Sequence, residues 1–140
     1  MKLDFPSHSK NESFARAAAG AFIASLDPTA TELSDIKCAL SEAVTNCTVH
    51  AYPDCIGIIR LQIKLRTDGT VIISVKDSGV GIPDIKKARE PLYTTDAAGE
   101  RSGMGFTVME SFCDSIKVTS KTGKGTTVTM TRKLAGKSAL

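Results

Sequence analysis

The chain has 140 residues, enough for one domain with an ordinary core. Its 41% hydrophobic and 24% charged content is that of a globular protein in water. A net charge of +3 is too small to argue for nucleic acid, and 5% aromatics without Trp leave no stacking platform for bases.

The four cysteines, Cys38, Cys47, Cys55 and Cys113, form no C-x-x-C pair and meet no His at zinc-finger spacing. They read as reduced thiols of a cytoplasmic protein, with Cys38 and Cys47 as small apolar fillers inside a helix. The first ten residues, MKLDFPSHSK, hold no apolar signal region, and no long apolar run follows. Neither export by a cleavable signal nor a membrane contact is expected.

In chain order, residues 2–5 predict a short strand that stops at Pro6. Ser9 and Glu12 have capping-box spacing, which predicts a helix with Phe14, Ala18, Phe22 and Leu26 inward, ended by Asp27-Pro28. Thr29 and Glu32 repeat the box. The second helix should bury Leu33, Ile36, Leu40, Ala43, Val44 and Cys47 and end near Tyr52-Pro53. Ile59, Leu61, Ile63 and Leu65 then alternate with polar residues, as do Val71, Ile73 and Val75, with Asp68-Gly69 between the two runs. That pattern predicts an antiparallel hairpin with one buried face.

From about Ser78 to Ser102 glycine and proline are frequent and core residues few, apart from a helical turn over Asp84–Arg89. A segment of this kind inside a small domain reads as a functional lid. Gly105 to Cys113 predicts a helix with Phe106, Met109 and Phe112 inward. Residues 116–118 and 127–132 predict two strands joined by the turn Thr122–Gly125. The expected architecture is α+β: a two-layer sandwich with helices on one face of a mixed, mostly antiparallel sheet. One domain should span residues 1–133, followed by a frayed tail over 134–140.

Four features carry chemistry. Asp77-Ser78-Gly79-Val80-Gly81 follows a strand; its glycines allow close approach of a flat ligand, and Asp77 is an acceptor without an obvious partner, suited to an exocyclic amine. Arg101-Ser102-Gly103-Met104-Gly105-Phe106 precedes a helix, where backbone N–H groups and a guanidinium can hold phosphate. Gly123-Lys124-Gly125-Thr126-Thr127 is not a P-loop, because a Gly follows the Lys and the stretch lies in a hairpin. Glu42, Asn46 and His50 form a row on the second helix, away from its apolar stripe. Glu42 is a candidate general base, and the Asn46 amide oxygen is a hard ligand suited to Mg²⁺.

Each feature alone has a plainer reading: a strand-to-loop turn, a flexible helix entry, a hairpin turn, a solvated helix face. Taken together in chain order they supply a base, a metal ligand, an adenine contact, a phosphate cradle and a closing wall. The set resembles the GHKL ATPase superfamily with its Bergerat ATP-binding fold. The runs NESFAR, LDPT, SEAVTN, DSGVGI and ERSGMGF are similar to the bacterial anti-sigma factor serine kinases, and most to those of sporulation.

The resemblance implies a cytoplasmic, homodimeric protein that binds ATP or ADP with Mg²⁺ and inhibits a sigma factor. It would phosphorylate an anti-anti-sigma factor on serine, with no direct contact to nucleic acid. It makes Glu42 the general base, Asn46 the Mg²⁺ ligand, and Asp77 the acceptor of the adenine amine beside Gly79 and Gly81. Thr94, Thr95 and Arg101 fall in the lid, with Arg101 at the terminal phosphate. Gly103 and Gly105 are the phosphate-cradling glycines, Ser102, Met104 and Phe106 beside them also bind the nucleotide, and Thr126 lies near the adenine. Arg16, on the first helix, falls on the partner surface. His50 receives no role beyond ending the helix. Ala51 stands where relatives often have Gly, and the lid stretch Asp96–Gly99 is this chain's own.

Overall fold

A computed structural model describes residues 1–82, 89 and 105–135. The elements in order are β1 (Lys2–Pro6), α1 (Asn11–Ile23), a 3₁₀ turn (Ala24–Leu26), α2 (Ala30–Asn46), a π-helical turn (Cys47–Ala51), β2 (Ile58–Leu65), β3 (Thr70–Lys76), α3 (Gly105–Phe112), β4 (Ser115–Lys121) and β5 (Gly125–Lys133). The strands form one sheet in the order β1-β2-β3-β5-β4. Every pairing among the described residues is antiparallel, so the mixed sheet expected from sequence is antiparallel throughout them.

The predicted hairpin forms. Leu61 faces Val75, Ile63 faces Ile73, and Leu65 faces Val71 across the β2–β3 ladder. Alternation of side chains puts Ile59, Leu61, Ile63, Val71, Ile73 and Val75 on the buried face. Val128 and Met130 of β5 continue that face beside β3. Lys64, Lys76, Lys117 and Lys121 lie exposed on the opposite face, which no helix covers among the described residues. The core therefore sits in a single layer between the sheet and its helices. A fully buried Leu or Ile there stabilises the fold by roughly 1.5–3 kcal/mol.

The second capping box is present. Thr29 Oγ1 accepts from Glu32 N at 3.0 Å, and Glu32 Oε1 accepts from Thr29 N at 2.9 Å. Ile36, Ala39, Leu40, Ala43 and Val44 then line the buried side of α2. Cys38 falls off that side and is exposed, so it is not the core filler expected of it.

The first capping box is absent. Lys10 precedes α1 without a side-chain cap, and Glu12 N takes the Ser9 carbonyl, not its hydroxyl, at 3.2 Å. The Glu12 carboxylate instead pairs with Arg16 one turn on, at 3.3 Å. The buried stripe is also displaced by one residue from the one expected: Ala15, Ala19 and Ile23 are inside with Leu26, and Phe14 is 51% exposed. The reason is proximity. Alanine at 15 and 19, both fully buried, lets α1 lie close to α2.

The chain end is bound more firmly than expected. Leu134, assigned to the tail from sequence, is 0% exposed, and Ala135 N donates to Glu32 Oε2 at 2.7 Å. Arg132 of β5 donates to the Phe112 carbonyl at 2.7 Å and to Asp35 Oδ2 at 3.2 Å, joining β5, the end of α3 and α2.

Candidate nucleotide site

The site is built where the central strand β3 ends. Asp77 N donates to the Thr126 carbonyl at 2.9 Å, which continues the β3–β5 ladder one step past the strand. The Asp77 side chain turns inward and is only 5% exposed. Sequence reading left this carboxylate without a partner; the fold supplies three. Oδ1 accepts from Gly79 N at 3.0 Å and from Thr126 N at 3.2 Å, and Oδ2 accepts from Cys47 Sγ at 3.4 Å. These donors meet the cost of burying a charge and fix the plane of the carboxylate.

Close backbone approach explains the glycines here. A Cβ on Gly79 would lie 2.2 Å from the Ala51 carbonyl oxygen, and Val80 N donates to that same oxygen at 3.0 Å. Gly125, at φ +114°, lies against the Asp77 carbonyl, where a Cβ would again come within 2.2 Å. Past Gly81 the chain runs beside the β4–β5 hairpin: Gly123 N donates to the Val80 carbonyl at 2.7 Å, and Ile82 N to Ser120 Oγ at 2.7 Å. Ser120 Oγ also lies 2.8 Å from Thr126 Oγ1, so Thr126 is tied to the Asp77 loop through both its backbone and its hydroxyl.

Glu42 and Asn46 are half-buried, one turn apart on α2, off the stripe of Ala43, Val44 and Cys47. Their row does not continue straight to His50. From Cys47 the helix widens to π geometry, with Tyr52 N donating to the Cys47 carbonyl at 3.1 Å. α2 packs along α3, whose first residue is Gly105. Phe106 is buried in the hydrophobic core, so only its backbone could serve a ligand. Thr94, Thr95, Arg101, Ser102, Gly103 and Met104 lie outside the described residues. Arg16 is exposed on α1, with its pair to Glu12.

Three residues of the site, Cys47, Tyr52 and Ser120, were missed from sequence. Cys47 was read as filler, yet its thiol reaches Asp77; burial and then the Asp77 charge push its pKa well up, which keeps it a protonated donor. Tyr52 is buried; its hydroxyl accepts from Ser78 N at 2.7 Å and donates to the Ile58 carbonyl at 2.8 Å. Burial raises its pKa, with the Ser78 N–H working against that shift. Cys47 did carry a sequence signal, since it directly follows Asn46. Ser120 carried none.

An open depression beside the β4–β5 hairpin meets this site at Asp77, Gly125 and Thr126 but is otherwise lined by strand and hairpin residues such as Lys76, Thr119 and Lys124. Among the described residues no cluster of three or more His, Cys, Asp or Glu could hold a metal. Mg²⁺ carried in on phosphates needs only one or two hard protein oxygens, and the half-buried Asn46 carries an amide oxygen of that kind. No described helix is long and apolar enough to cross a membrane.

Comparison with known proteins identifies the family. The family described as "Histidine kinase-like ATPase domain" matches residues 5–132. An anti-sigma F factor of Geobacillus kaustophilus is 51% identical over 141 residues, spanning 100% of this chain and 96% of the relative. One from Caldanaerobacter subterraneus subsp. tengcongensis is 54% identical over 132 residues, 94% of this chain and 92% of its own length. Among solved structures, the RsbU and RsbW domains of a Mycobacterium tuberculosis protein superpose with a TM-score of 0.69 at 22% identity, over 96% of this chain and 32% of that one; this likeness speaks to fold alone. The chain belongs to the histidine kinase-like ATPase family and, within it, to the anti-sigma F factors.

Proposed function

We propose that this chain is a cytoplasmic, homodimeric serine protein kinase. In this reading it uses Mg·ATP both to hold a sporulation sigma factor inactive and to phosphorylate an anti-anti-sigma partner. One observation carries the nucleotide part: a buried carboxylate at the end of β3, held by three internal donors, beside the helix that bears Glu42 and Asn46. The names of the relatives support the sigma-factor part.

In this reading Asp77 accepts the adenine amine, with Gly79 and Gly81 beside the purine and Thr126 behind it. Asn46 is the protein ligand of Mg²⁺, which neutralises phosphate charge when bound. Arg101 and the backbone from Ser102 to Gly105 hold the phosphates, and Thr94 and Thr95 belong to the lid. Glu42 takes the proton of the partner's serine as its oxygen attacks the γ-phosphorus. The bond from that phosphorus to the β–γ bridging oxygen breaks, and ADP leaves. Transfer of this kind relies on positioning and charge more than on covalent chemistry. Arg16, exposed on α1, belongs to the partner surface.

The test is transfer of label from γ-labelled ATP to an anti-anti-sigma protein, with wild type and Glu42→Gln side by side. Label should reach the partner's serine with wild type and fall about 100-fold or more with the variant, while nucleotide affinity holds. Label that never leaves ATP, with nucleotide still altering sigma-factor capture, would make the chain a nucleotide-gated binding module instead.

A further inference from the structure

The end of α2 and the loop after β3 are joined at four points, all within Cys47–Tyr52. Cys47 Sγ donates to Asp77 Oδ2 at 3.4 Å. Val80 N donates to the Ala51 carbonyl at 3.0 Å, and Gly79 packs directly on that carbonyl. Ser78 N donates to the Tyr52 hydroxyl at 2.7 Å. Three of these anchors hold the backbone of the loop. Cys47 touches the carboxylate itself from this side.

Counting acceptor sites shows what that contact does. A carboxylate offers about four lone-pair positions. On Oδ1 two are taken, by Gly79 N and Thr126 N. On Oδ2 the thiol takes one. Among the described residues that leaves a single position on Oδ2 for a ligand. Without the thiol Oδ2 would have two, shared with water and with no fixed direction.

We propose that Cys47 is a positioning residue for purine recognition: by filling one lobe of Asp77 Oδ2 it aims the other at a 6-amino group, and so sharpens the preference for a 6-aminopurine nucleotide. The inference rests on Asp77 being the adenine acceptor. It concerns the residue after Asn46, which the reading above leaves without a role.

The test compares the affinity of the full-length protein for Mg·ATP and for purine riboside triphosphate, which lacks only the 6-amino group. Wild type should prefer ATP. Cys47→Ala should lose about three- to tenfold of that preference, through weaker ATP binding alone, since a thiol is a weak donor. Cys47→Ser, which keeps a donor, should recover it. If the alanine variant does not fold, Cys47→Val fills the space without a donor and serves in its place. An equal loss for both nucleotides, an unchanged preference, or a serine variant that behaves like alanine would each overturn the proposal. Wild type binding both nucleotides equally would instead show that Asp77 does not read the amine, and both readings would fall.

Discussion

Gly79→Ala asks whether the site depends on the contact between the β3 loop and the end of α2. The added Cβ would sit 2.2 Å from the Ala51 carbonyl oxygen, 2.6 Å from its carbon and 2.7 Å from its Cβ. Two of these three atoms are backbone in a π-helical turn and cannot rotate away. Ordinary contact begins at 3.4 Å, so the loop must withdraw by about 1 Å. The Val80 N to Ala51 O bond, now 3.0 Å, then passes out of range. One lost backbone bond costs about 1 kcal/mol, and the packing strain about 1–3 kcal/mol more, for a total of about 2–4 kcal/mol. Gly20→Ala is the control. Its Cβ meets only the far end of the Lys37 side chain, which can swing away, and alanine favours the helix over glycine by about 1 kcal/mol. The two substitutions should therefore move stability in opposite directions. Urea unfolding followed by circular dichroism, without nucleotide so that ligand binding does not add to stability, gives both numbers. A Gly79→Ala protein within about 0.5 kcal/mol of wild type would refute the close-contact account.

The other predictions follow from single contacts. Thr29→Ala removes the α2 cap and should cost about 1 kcal/mol in the same urea assay. Glu32 is held below its ordinary pKa, first by the Thr29 N–H and then by the Ala135 N–H. Its contribution is therefore full above the unfolded-state pKa and is lost as pH falls through the lower folded value; Glu32→Gln should flatten the stability profile below about pH 4–5. Arg132→Met should destabilise by about 1–3 kcal/mol, because it leaves Asp35 and the Phe112 carbonyl without this donor, and Asp35→Ala in the same background should cost less than it does alone. Thiol alkylation of the native protein near pH 8, read by mass spectrometry, should label Cys38 and Cys55 well before Cys113, whose pKa burial lifts to about 11, and Cys47 only on unfolding.

Much of this chain is legible because it is local. The alternation in β2 and β3, the Thr29–Glu32 box and the glycine-marked turns depend on neighbours a few residues away, and each formed as read. The ordered set from Glu42 to Thr126 was enough to point to the family, because the residue types carry the chemistry wherever they are placed. What sequence could not decide was contact between distant segments. Ser9 and Glu12 have the spacing of a cap, yet Glu12 turned to Arg16. Phe14 lies outside and Ala15 inside because the approach of α1 to α2, not the size of its apolar residues, chose the buried face. β5 sits between β3 and β4, which brings Thr126 N to Asp77 across 49 positions of sequence. Cys47 looked like filler until packing of the end of α2 on the loop after β3 brought its thiol to that same carboxylate. A buried charge needs donors, and its own sequence neighbours supply only Gly79 N; tertiary folding brings the rest.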